Sequence, residues 1–141
     1  MNTIKQLTKI YLEKEFWHNS KLSEEEANEY HERLILNGNI LTYIVKGELI
    51  GYLEFYRITT EQFGRVCCNL QLSHEEDLLN GNIALVNRMW IKEENRHSHV
   101  FDMLVAMFIA RNKDAEHYVT LQHHKRHKSL QTFYRKDWVR N

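Results

Sequence analysis

The chain has 141 residues, with 19 lysines and arginines against 19 aspartates and glutamates. That length predicts one domain, residues 1–141, large enough to bury a core of its own. The balanced charge excludes a bulk field that would draw in nucleic acid or an anionic membrane. Nine histidines leave the net charge free to move between about pH 5 and 8. The absence of proline, with only five glycines, points to well-formed elements joined by short turns.

No segment approaches the roughly 20 apolar residues of a membrane span. The opening "MNTIKQLTKIYLEKEFWH" lacks the apolar centre and small-residue cleavage site of a signal peptide. Cys67 and Cys68 are adjacent and bridge each other only with strain. Together these features predict a soluble, reduced, cytoplasmic protein.

Residues 3–16 place Ile4, Leu7 and Tyr11 on one helical face, with Ile10 beside them. Ser23 and Glu26 form a capping-box pattern that starts a second helix, with Tyr30 and Leu34 one turn apart, and "NGN" at 37–39 stops it. In "ILTYIVKGELIGYLEFYRI", residues 40–58, two β-branched and aromatic runs flank Lys46-Gly47-Glu48, which predicts a hairpin. Residues 59–80 carry weaker signals: "GRVCCNLQL" reads as a short strand and "SHEEDLLNGN" as a capped helical turn ending at Asn80-Gly81. A strand follows over 82–92, with Ile83, Leu85, Asn87, Met89 and Ile91 on one face and Ala84, Val86, Arg88 and Trp90 on the other. Residues 100–111 are apolar around most of a helix, which predicts burial against a sheet. "EHYVTLQ" at 116–122 reads as a strand and "SLQTFYRKDW" at 129–138 as a last helix. The two late strands, joined by a helix, are expected to lie parallel through a right-handed crossover.

This order resembles the GCN5-related N-acetyltransferase superfamily. The two helices and "VKGELIGYLEFY", with Gly51 as the strand glycine, look like its opening helices and hairpin. "NRMWIKEENRHSHVFDMLV" looks like its fourth strand and donor-binding turn, and "LQHHKRHKSLQTFYRKDW" like its fifth strand and a helix with a Phe-Tyr-x-Lys pattern. The resemblance covers roughly residues 20–138 and implies an α+β, three-layer fold with a central mixed sheet flanked by helices.

It also implies a site. A strand that ends in a turn opening a helix aims free backbone N–H groups and the positive helix end at one point, where a pyrophosphate fits. The family turn runs Arg or Gln, two residues, Gly, one residue, Gly or Ala. In that register Arg96 keeps the first place, His99 replaces the first glycine and Phe101 the second small residue. Arg96, His97, Ser98, His99, Val100 and Phe101 are thus the residues expected to hold acetyl-CoA or another acyl-CoA, and the two substitutions crowd the approach. By the same resemblance Tyr134 in "FYRK" is the candidate acid for a leaving thiolate; otherwise it is an amphipathic core tyrosine. Strand 82–92 has no carboxylate, so Glu54 on the hairpin is the candidate base, the alternative being a solvated strand carboxylate.

His97 and His99 follow one strand, and His123, His124 and His127 follow the next, so parallel neighbours would bring all five to one sheet edge. They would act as a base, bind an anion with Arg96, Lys125 and Arg126, bind a metal, or form a polar solvated surface; without a fixed Cys/His spacing the metal is the weakest of these. Only "WVRN" follows the last expected helix, where the family usually adds two strands. That predicts an open C-terminal edge covered by a second copy or a protein partner.

Three functions follow. The first is an N-acyltransferase that moves an acyl group from acyl-CoA to a small-molecule or protein amine. The second is a catalytically degenerate version of the fold acting as a binding or assembly component, of the kind a phage virion would use. The third is a histidine-based metal or pH-responsive module.

Overall fold

The computed structural model of the chain describes residues 2–13, 22–67, 81–120 and 133–135. Helices α1 (Thr3–Glu13) and α2 (Glu24–Leu36) come first, followed by the hairpin β1 (Ile40–Val45) and β2 (Glu48–Ile58). Next are α3 (Thr60–Cys67), β3 (Ile83–Ile91), a single 3-10 turn (Glu93–Asn95), α4 (Val100–Arg111), β4 (His117–Thr120) and β5 (Phe133–Arg135). The five strands form one sheet in the order β1-β2-β3-β4-β5. All neighbours are antiparallel except β3 and β4, the parallel pair expected from the helical crossover.

The local chemistry of α2 and the hairpin matches the sequence reading. Ser23 Oγ accepts from the Glu26 N–H while the Glu26 carboxylate accepts from the Ser23 N–H, a reciprocal cap. Lys46 and Gly47 turn the hairpin with φ of 51° and 81°, the left-handed pair that matches the twist of the flanking strands. Gln6 clips α1 to this hairpin: its carbonyl accepts from the Leu49 N–H at 2.8 Å and its amide donates to the Gly47 carbonyl at 3.0 Å.

The sheet separates two apolar layers. On one face α4 lays Val100, Leu104 and Phe108 over β1 and β2, against Leu41, Leu53 and Phe55, and Phe108 meets Phe55 and Tyr118 edge to face. Gly51 permits the close approach. A Cβ there would lie 3.1 Å from both the Trp90 carbonyl oxygen and Val100 Cγ1, and 3.3 Å from Leu104 Cδ1. On the other face α1 packs Leu7 and Ile10 against Leu49 and Tyr52.

Four expectations need correction. Residues 64–67 are helical, inside α3, and not strand; residues 68–80, including the expected turn at 73–80, lie outside the described residues. The alternation of β3 breaks. Glu54 faces Arg88 but Phe55 faces Val86, so Asn87 is an extra residue, a bulge. The bulge puts Ala84, Val86, Met89 and Ile91 in the α4 layer, and Trp90 with α1 and Tyr52. Strict alternation would have kept Val86 apart from Met89 and Ile91. Helix α4 buries one stripe only; Phe101 and Met103 stay exposed. Finally, Phe133–Arg135 is a strand antiparallel to β4, not part of a helix.

Candidate functional site

The end of β3 and the start of α4 build the turn that the sequence singles out. The 3-10 turn is closed by the Asn95 N–H on the Lys92 carbonyl and the Arg96 N–H on the Glu93 carbonyl. Ser98 stitches the next step: its N–H and its hydroxyl both donate to the Asn95 carbonyl, and its Oγ accepts from the Val100 N–H at 3.3 Å. His99 is the N-cap residue with φ −68° and ψ −4° and caps nothing with its side chain. Its backbone is ordinary right-handed, so this turn needs no glycine for conformation. The question left is access.

Four backbone N–H groups, those of His97, His99, Phe101 and Asp102, have no hydrogen-bond partner among the described residues. Those of His99, Phe101 and Asp102 belong to the helix end and carry the positive end of the α4 dipole. Arg96 Nε donates to the Ile91 carbonyl at 3.1 Å, which fixes the guanidinium at the turn and leaves its two Nη groups without a described partner. The one opposing charge in the first turn of α4 is the exposed carboxylate of Asp102.

His99 does not lie over this point. Its Nε2 sits 2.8 Å from the Tyr43 hydroxyl of β1, with the two rings edge to face, so the imidazole is drawn to the β1 side of the sheet. The parallel ladder of β3 and β4 runs from Ile83 opposite His117 to Val86 opposite Thr120. The bulge at Asn87 follows at once. Beyond Val86, therefore, β3 keeps its partner on the β2 side and has none on the β4 side among the described residues.

Glu54 is not a solvated strand carboxylate. It is 1% exposed, on the α1–α2 face of β2. Tyr30 and Tyr56 hydroxyls donate to its Oε1, the latter at 3.0 Å, and the two hydroxyls lie 2.6 Å from each other. Arg88 Nη1 stands 3.5 Å from Oε2, with the guanidinium carbon 5.3 Å from the Tyr11 ring centre and 5.7 Å from that of Tyr30. Burial raises the Glu54 pKa above the usual carboxylate range, and Arg88, Tyr56 and Asn87 counter it only in part. Beside this cage His31 is buried with Nδ1 3.0 Å from Thr8 Oγ1. Desolvation and then the Arg88 charge push its pKa down to about 4.

Arg96 through Phe101 thus come together as one turn, while Glu54 lies on the other face of the sheet and Tyr134 elsewhere again. Tyr134 pairs with Tyr118, which faces Ala84. Ala84 is near the start of β3, roughly 20 Å along the strand from Ile91. The helix expected to carry Tyr134 toward the cleft is absent at 133–135. His123, His124, His127, Lys125 and Arg126 lie outside the described residues. Among the described residues no group of three His, Cys, Asp or Glu side chains could hold a metal, and no helix is long and apolar enough to cross a membrane. The sequence reading missed the whole Glu54–Arg88 cage. Its signal was present: Tyr52, Glu54, Tyr56 and Ile58 alternate on a face otherwise apolar or aromatic.

Helices on both faces of a mixed sheet, with one parallel crossover, define a three-layer α+β architecture. The chain has the GCN5-related N-acetyltransferase fold. It superposes on the loading GNATL domain of CurA from Lyngbya majuscula with a TM-score of 0.55 at 14% identity, over 86% of this chain and 62% of that one. A "predicted acetyltransferase" from Clostridium acetobutylicum, solved with acetyl-CoA, gives 0.50 at 9% identity over 84% of this chain and 72% of that one. The GphF GNAT-like decarboxylase in complex with isobutyryl-CoA gives 0.50 at 14%, over 72% and 52%. The chain spans about three-fifths of the length of the CurA domain. No protein-family model matches it, and no curated protein does.

Proposed function

We propose that the protein binds an acyl-CoA at the β3–α4 turn and transfers the acyl group to an amine. One observation carries this reading: four N–H groups without a partner among the described residues, and the anchored Arg96 guanidinium, belong to the one short turn that opens α4. Pyrophosphate is the ligand whose charge and oxygens fit such a point. The tilt of His99 toward Tyr43 favours access, since its ring occupies the β1 side. Two neighbours of the same fold were solved with acetyl-CoA and isobutyryl-CoA, which supports the ligand class.

In this reading Arg96 and the amides of His97, His99, Phe101 and Asp102 hold the phosphates, and Ser98 and Val100 shape the turn. The bound donor supplies an acyl group activated as a thioester. The β3 edge after Val86, without a partner on the β4 side among the described residues, offers backbone groups to orient it beside the Asn87 bulge. Glu54 reaches a reacting amine only through Tyr56, the more exposed of its two phenol partners. A proton passes from the amine to the Tyr56 oxygen as the Tyr56 proton passes to the carboxylate. No acid role is given to Tyr134, because β5 lies three places from β2 and the Glu54 cage in the order of the sheet.

A second reading rests on the same Glu54. A carboxylate sealed by two tyrosines and an arginine also suits a protein that keeps the fold, has lost chemistry and works as a binding component. Calorimetry with acetyl-CoA separates the two. Micromolar binding that weakens at least tenfold in Arg96→Ala supports the donor site. No heat at millimolar acetyl-CoA removes the transferase reading and leaves the binding component.

A further inference from the structure

We propose that the outer edge of β1 is a homodimer interface, in which β1 pairs antiparallel with β1 of a second copy about a two-fold axis at Thr42. The inference is independent of the donor reading. Among the described residues β1 ends the sheet and pairs with β2 alone. Its six residues, "ILTYIV", contain no charge and no proline, the two devices that normally protect an open edge. The irregularity in the β1–β2 ladder is an extra residue on β2, since Tyr43 faces Gly51 and Ile44 faces Leu49, so β1 itself stays regular. Among the described residues, four of the six exposed large hydrophobic side chains flank this strand: Ile35 and Leu36 before it, Ile44 and Val45 at its end.

Those two groups sit at opposite ends of β1, and an antiparallel two-fold brings opposite ends together. A two-fold perpendicular to the sheet requires paired residues of the same parity, because facing side chains share a face. Centred on Thr42, the register sets Ile40 against Ile44 of the second copy and Leu41 against its Tyr43. Ile40 and Ile44 both belong to the α1 face: Ile40 packs on the α1 layer, and Ile44 faces Leu49 of that layer.

A depression of about 460 Å³ on that face is lined by Asn2, Thr3, Ile4, Ile35, Ile40 and Thr42. Ile44 of the second copy, 43% exposed in the single chain, enters it. The surface is therefore self-complementary: each copy supplies both the depression and the side chain that fills it, as an isologous interface demands. A foreign strand would satisfy the backbone edge but would not account for the matching of the two ends.

Light scattering on the full chain between 1 and 100 µM tests the state, with Ile44→Lys as the variant, since an exposed position leaves the fold intact. A dimer whose dissociation constant rises at least 100-fold in Ile44→Lys, with unchanged circular dichroism, is expected. Thr42→Cys tests the register. Mild oxidation should give a covalent dimer whose bridge, mapped by mass spectrometry, joins the two substituted 42 positions, because facing strand residues lie within disulfide reach. A monomer throughout the range overturns the proposal. So does a dimer that survives Ile44→Lys, or a covalent dimer bridged only through Cys67 or Cys68.

Discussion

Two buried titrating side chains make stability depend on pH in opposite directions. His31 has a folded pKa near 4 against an ordinary value of 6.5. Between those limits the unfolded chain takes up a proton that the folded chain refuses. Its contribution is complete above pH 6.5 and shrinks as pH falls to 4, by about 3 kcal/mol at the foot of the window. Urea midpoints measured from pH 4 to 8 should fall toward acid in the wild type and stay flatter in His31→Gln, which keeps a polar group near Thr8. Glu54 works the other way: its folded pKa is raised above 4.5, so its contribution is full below that value and is lost as pH climbs through the folded one. Glu54→Gln should remove the alkaline-side loss. Glu54→Ala should cost about 3–5 kcal/mol at neutral pH, because Arg88 would be left buried without its carboxylate. Equal midpoints for the Ala variant and the wild type would show that the cage contributes nothing. This cage was only partly legible. Opposite charges at Glu54 and Arg88 are visible in the sequence, but that they face each other depends on a bulge at Asn87 that no residue type announces.

At the scale of elements, local chemistry explains which readings succeeded. The Ser23–Glu26 box and the Lys46-Gly47 turn are short-range devices, and both formed where their residues stand. Helix α3 was legible too, and overlooked. Thr59 and Gln62 exchange side-chain bonds with each other's N–H at 3.1 and 2.8 Å, the same reciprocal cap written with threonine and glutamine. β5 was not legible, because "TFYR" has aromatic residues that serve a strand or a helix face equally, and its pairing with β4 is a tertiary choice. Two substitutions probe this scale. Lys46 holds φ at 51°, strained for a lysine, so Lys46→Asn should stabilise by about 0.5–1 kcal/mol in a urea titration. Gly51→Val would push Val100 and Leu104 outward, destabilising by about 1–3 kcal/mol and displacing the first turn of α4. If the donor amides sit on that turn, the variant loses acetyl-CoA affinity more than Lys46→Asn does.

For the molecule as a whole, the parallel β3–β4 pair was deducible because a helix between two strands leaves almost no other topology. The order of the sheet then sets three chemistries apart: the turn at one end of β3, the Glu54 cage on the α1–α2 face, and the open β1 edge at the far side. A ligand that binds the folded chain alone must raise its stability by mass action. At a hundred times its dissociation constant acetyl-CoA should add about 2.7 kcal/mol, a rise in Tm of roughly 8 °C for a domain of this size. The charge balance of the turn makes the test directional. Asp102 places a carboxylate beside the amides expected to meet phosphate, so Asp102→Asn should tighten acetyl-CoA several-fold while Arg96→Ala loosens it. Desulfo- or dephospho- forms are not needed as controls: inorganic pyrophosphate alone should compete, and its effect should fade with rising salt. A thermal shift with acetyl-CoA that Asp102→Asn and Arg96→Ala leave untouched would place the ligand somewhere other than the β3–α4 turn.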